Sequence, residues 1–144
     1  MTLSGDQPYF SPGGDGGILV LTQISQADAY AVANDLAKLL SIESDHHTSM
    51  TKVQSRIGLH YGQVALYENA EGLLRPTGLD LFVADEIAGD DVARQGTGVV
   101  FTEPLKESIG EGSIKDFDRE FEELPALHHG PAAHIKRFRR RVIQ

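Results

Sequence analysis

The chain has no cysteine, no tryptophan and no apolar run long enough to span a bilayer. Without cysteine there are neither disulfides nor thiolate metal sites, a usage that fits a reducing compartment. A membrane-spanning helix needs about 20 consecutive apolar residues. The opening residues Met1 to Gln7 carry neither the basic nor the apolar stretch of a secretion signal. The expectation is therefore a soluble, cytoplasmic protein without a membrane span. Also missing are the Gly-x-Ser-x-Gly nucleophile turn and the Gly-x-x-x-x-Gly-Lys-[Ser/Thr] phosphate loop, so hydrolase and P-loop readings have no support. Repeats and low-complexity segments are absent too.

What is present fits one domain of 144 residues, a length that buries roughly two-thirds of its unfolded surface without a staple. Basic residues are scarce, 13 against 21 acidic ones, and five of the 13 crowd into His134-Ile135-Lys136-Arg137-Phe138-Arg139-Arg140-Arg141. The rest of the chain keeps eight basic against 21 acidic residues, a net charge of −13. So acidic a body repels polyphosphate backbones, which argues against nucleic acid as a partner. The basic run reads as a terminal strand with a solvated face.

Residues 1–8 are polar and expected to be frayed. Tyr9-Phe10 and Gly17 to Gln23 flank Gly13-Gly14-Asp15-Gly16 as a glycine-turn hairpin. The apolar run Ile18 to Leu21 implies burial on both faces and an interior strand. Ser25-Gln26-Ala27-Asp28 starts a helix that Tyr30, Ala33, Ala37 and Leu40 carry to about Ser44. Strands are expected over Val53 to His60 and Gln63 to Tyr67, with a loop from Glu68 to Pro76. A second helix begins at Thr77, its apolar stripe formed by Leu79, Phe82, Val83 and Ile87. A strand at Val99 to Thr102, a short helix opened by Pro104, a strand near Phe121 to Leu124, a turn at Gly130-Pro131 and a last strand over about Ile135 to Ile143 complete the pattern. It predicts an α+β fold.

Arg56-Ile57-Gly58-Leu59-His60-Tyr61-Gly62 resembles the block R-[IV]-G-[IL]-H-x-G of class III nucleotidyl (adenylate/guanylate) cyclase homology domains. In the same order along the chain, Gly14-Asp15-Gly16 with Ile18 to Leu21 resembles that family's Gly-Asp-Gly hairpin. Ala27 to Leu40 resembles the helix after it. Gly78 to Ala88 resembles G-x-x-V-N-x-A-x-R-[IL], and Gly98 to Leu105 resembles G-x-[IV]-x-[VF]-[ST]-E-x-[VL]. Five matches in order cover nearly the whole chain. The glycine hairpin is also similar to the GGDEF turn of diguanylate cyclases, but Gly16 and Gly17 replace its Glu and Phe.

The resemblance implies a ferredoxin-like, cyclase-like sandwich, with helices packed on a mainly antiparallel sheet. It also implies cyclisation of a nucleoside triphosphate by two Mg²⁺ ions on two carboxylates, aided by an Asn and an Arg. Asp15 matches one metal carboxylate; its partner would lie on a strand that precedes the residues present here. The catalytic Asn and Arg fall on Phe82 and Glu86, the base-reading positions on Arg75 and near His128. A Phe cannot hydrogen-bond a ribose, and a carboxylate adds repulsion where the reaction needs a cation. The expectation is a non-enzymatic, degenerate homology domain, without cofactor, serving as a regulatory, dimerising or nucleotide-sensing module in signal transduction. Its partner would be a second copy, or a chain or domain that supplies the missing strand. The alternative is an active nucleotidyl cyclase or subunit, a phosphorus–oxygen lyase using Mg or Mn, in which Asp15 works as a ligand.

Each of these residues also has a plainer reading. Asp15 beside glycine is ordinary turn chemistry. His60 reads as a satisfied histidine at a strand end. His46-His47 and His128-His129 are sequence neighbours that point apart on regular structure. Asp85, Glu86, Asp90 and Asp91 read as a solvated acidic face.

Overall fold

The structure, a computed structural model, describes residues 9–13, 16–46, 56–94, 98–110 and 121–141. It is a mixed α+β arrangement with mainly antiparallel sheets. In order, the elements are β1 (Tyr9–Gly13), β2 (Gly16–Val20), α1 (Gln26–His46), β3 (Arg56–Leu59), β4 (Ala65–Glu68) and β5 (Leu74–Thr77). There follow α2 (Leu79–Ile87), α3 (Asp91–Arg94), β6 (Gly98–Thr102), α4 (Glu103–Ile109), β7 (Phe121–Leu124) and β8 (Arg137–Arg141).

The central sheet has the order β3-β6-β8-β7, parallel between β3 and β6 and antiparallel elsewhere. β6 (GVVFT) is buried along its whole length because both faces are covered. Val99, with Ile57 and Leu59 of β3, packs on Ala33 and Ala37 of α1. Phe101 meets Tyr30 of α1, Leu105 and Ile109 of α4, and Phe138 of β8. Its ring makes edge contacts with Tyr30 at 5.3 Å and Phe121 at 5.5 Å. Val100 points the other way, to Val83, Ile87 and Ala88 at α2. The period of two along one strand thus sorts the helices onto opposite faces.

Local chemistry sets the helix ends. The Ser25 Oγ accepts from the Asp28 N–H at 3.1 Å, the N-cap that the sequence implies for α1. Pro104 sits in the first turn of α4, where its missing N–H has no intrahelical partner to lose. Two further hairpins, β1-β2 and β4-β5, stand as separate two-stranded sheets.

Several expectations need correction. The run Ile18 to Leu21 is not an interior strand. Among the described residues β2 pairs only with β1, and Leu19 and Leu21 are exposed. The loop expected over Glu68 to Pro76 contains β5, which tolerates Pro76 because it too has one partner. Of the stripe on α2, Val83 and Ile87 are buried, whereas Leu79 and Phe82 are 71 % and 53 % exposed. The basic face of β8 is not simply solvated. Arg137 is fully buried, donating to Asp90 through two nitrogens at 2.6 and 2.7 Å and to the carbonyls of Ile87 and Pro125. Arg139 grips Glu122 at 2.7 Å.

Candidate functional site

The block Arg56 to Gly62 runs out of the sheet at His60. The imidazole, 5 % exposed, is held at both nitrogens: Nδ1 lies 2.7 Å from Thr102 Oγ1 and Nε2 lies 3.0 Å from Asp80 Oδ1. An ionised carboxylate only accepts, so the Nε2 proton is the one donated to Asp80. A neutral ring then accepts the Thr102 hydroxyl at Nδ1. The other Asp80 oxygen accepts the Gln63 N–H at 2.8 Å. The His60 hydrogen bond, helped by that of Gln63, holds the Asp80 carboxyl below the usual carboxylate range. Gly62 makes room for it, because a Cβ there would lie 2.5 Å from the Asp80 carboxylate.

An Asp–His–hydroxyl series invites a nucleophilic reading, but the burial rejects it. Thr102 is fully buried, so its oxygen meets no substrate, and both imidazole nitrogens are engaged. The series instead ties together the ends of β3 and β6 and the first turn of α2. As N-cap of α4, Thr102 makes no side-chain cap bond, its hydroxyl being committed to His60. His60 is thus the satisfied strand-end histidine that its position implies.

Two clefts open beside this tie, on either side of β2 and Leu81. One, of about 340 Å³, lies between β2 and the end of β3, with Leu81 and Ala84 of α2, His60 and Asp80 in its lining. Among the described residues β2 pairs only with β1 and β3 only with β6, so there each has one unpaired edge, and α2 packs against both strands. Exposed Leu19, Leu21, Tyr61 and Val64 also line this cleft. The other cleft, of about 430 Å³, is lined by Tyr9, Tyr67, Arg75 and Phe82 among others. There Arg75 stands opposite Tyr67 across the β4-β5 pair and donates to the Tyr9 hydroxyl, its guanidinium carbon 5.8 Å from the Tyr9 ring.

Of the residues that the resemblance would gather, the structure brings Arg75 and Phe82 to one cleft and turns Glu86 away from it. Asp15 lies outside the described residues. Phe82 stands half-exposed at the second cleft with Arg75, but Glu86, one turn on, points elsewhere. Its carboxylate accepts the Ala132 N–H at 3.0 Å and packs on Gly130, whose φ of 85° favours glycine and where a Cβ would lie 2.7 Å from the carboxylate oxygens. Asp90 pairs with Arg137, which holds it below the usual carboxylate range. Glu86 and Asp90 are therefore structural ties and not a solvated acidic face. The exposed His128 ring lies 6.4 Å from that of His134, and His47 falls outside the described residues. Among the described residues no group of three or more His, Asp or Glu side chains could hold a metal ion. Asp80, the only carboxylate among the residues lining either cleft, has both oxygens engaged.

Sequence reasoning missed the Arg137–Asp90 tie and the Arg75–Tyr9 contact, which join residues 47 and 66 positions apart. Arg137 stands between Lys136 and Phe138 in a basic run, so nothing local announced the first. Among the described residues no helix is long and apolar enough to cross a membrane. No protein-family model matches the chain, and neither a curated protein nor a solved structure matches it.

Proposed function

We propose that the chain is a catalytically degenerate nucleotidyl cyclase homology domain, a cyclase-like sandwich that works as a dimerising and regulatory module. The observation that carries this is the pair of edges on β2 and β3 that no strand among the described residues pairs, beside a cleft whose floor is α2. Unpaired edges recruit another strand, and an added strand brings main-chain hydrogen bonds together with pockets for alternate side chains. Apolar Leu19 and Leu21 give such a strand something to bury against.

Two further residues support a non-catalytic role. Phe82 offers no hydrogen-bonding group at the position where the resemblance calls for an Asn. Glu86 offers a carboxylate already held by Ala132 where it calls for an Arg. Removing one such electrostatic donor costs about 10²–10³ in rate. Incubation with ATP, GTP, UTP or CTP and Mg²⁺ or Mn²⁺ should therefore yield no cyclic nucleotide. A cyclic product abolished by Asp15→Ala would overturn the reading in favour of an active cyclase.

A further inference from the structure

The cleft around Arg75 has a chemistry of its own that does not depend on strand pairing. Three rings line it from three elements: Tyr9 of β1, Tyr67 of β4 and Phe82 of α2. Tyr67 and Phe82 are half-exposed, so their faces are not consumed by packing. Ile18 and Leu81 add apolar surface. Into this lining projects one guanidinium, bonded through a single nitrogen to the Tyr9 hydroxyl. Its other N–H groups have no hydrogen-bond partner among the described residues. A volume of about 430 Å³ accommodates a small molecule.

We infer that this cleft binds a planar aromatic molecule carrying a single carboxylate. The rings offer stacking and edge contacts to a flat apolar body. The planar guanidinium fork matches a carboxylate in bidentate geometry. A polyphosphate fits poorly, since one cation faces several charges inside a body of net charge −13 outside its basic run. Ser11, also in the lining, adds a hydroxyl that serves either as donor or as acceptor.

The test is a titration of the whole chain, followed by NMR, with 2-naphthoate, its neutral amide and ATP. The expected result is that 2-naphthoate shifts the resonances of Tyr9, Tyr67, Arg75 and Phe82 with a Kd near about 1 mM, ordinary for a ligand of this size. The amide should bind about tenfold more weakly, the loss expected for one charge-assisted hydrogen-bonded contact. Arg75→Gln should bring acid and amide to the same affinity while the chain still melts cooperatively, and Phe82→Ala should weaken both. Equal binding of acid and amide by the unmodified protein would overturn the inference. So would an absence of shifts at these residues at about 10 mM, or tighter binding of ATP than of 2-naphthoate at the same residues.

Discussion

At Gly58 the sheet and α2 come so close that a Cβ would lie 1.9 Å from the Ala84 carbonyl oxygen. Neither partner is a flexible side-chain end, so Gly58→Ala must push α2 off the sheet. Overpacking of this kind costs about 1–3 kcal/mol; the backbone contact places this substitution near about 3 kcal/mol, read as a lowered midpoint in urea unfolding. His60 makes the second residue-scale case. Thr102→Val keeps the shape of the side chain but leaves the buried Nδ1 without its partner, at a cost of about 1–3 kcal/mol. Comparison of Thr102→Val with Thr102→Ser by thermal melting checks this. Serine, which retains the hydroxyl, should lose the smaller part.

At the scale of elements, patterns that depend on neighbours in sequence were readable and those that depend on distant partners were not. The α1 start at Ser25 and the inward face of Tyr30, Ala33 and Ala37 follow from capping and periodicity, and both appear as expected. So do β6, α4 and β7. β2 went wrong because four apolar residues in a row look alike whether a strand is covered on both faces or left at an edge. Only pairing distinguishes them, and among the described residues β2 pairs with β1 alone. β5 was hidden by Pro76, which marks a loop unless the strand has an unpaired side. The site divides in the same manner. His60 was legible from its place at the end of the block, whereas its partners Asp80 and Thr102 lie 20 and 42 residues away. Glu86 read as a surface acid because nothing local announces the turn at Gly130 that it holds.

For the whole molecule, the buried Arg137 joins β8 to the partly exposed Asp90, just beyond the end of α2, across 47 residues. Arg137→Ala removes the donor from Asp90 and from two carbonyls, and breaking a buried pair costs about 3–5 kcal/mol. Asp90 keeps a quarter of its side chain exposed, which places the loss at the lower end of that range. Its carboxyl is held down by Arg137, so the folded state binds its proton less readily than the unfolded chain does. The stabilisation is complete above the ordinary carboxylate value of about 4 and is lost as pH falls below it. Asp90→Asn should therefore lower stability at neutral pH and flatten the acid limb of the stability profile, measured by urea unfolding at successive pH values.

The edges of β2 and β3, unpaired among the described residues, bear on the molecule's state of association. If they take an additional strand, isolated chains should find that strand in one another. Sedimentation over about 1 to 100 μM should then give a weight-average mass that rises with concentration above the 15.7 kDa of one chain. Leu19→Lys, which places a charge on the exposed β2 edge, should suppress the rise while changing stability by no more than about 0.5 kcal/mol. A single 15.7 kDa species across the whole range, melting cooperatively and unaffected by Leu19→Lys, would contradict the account.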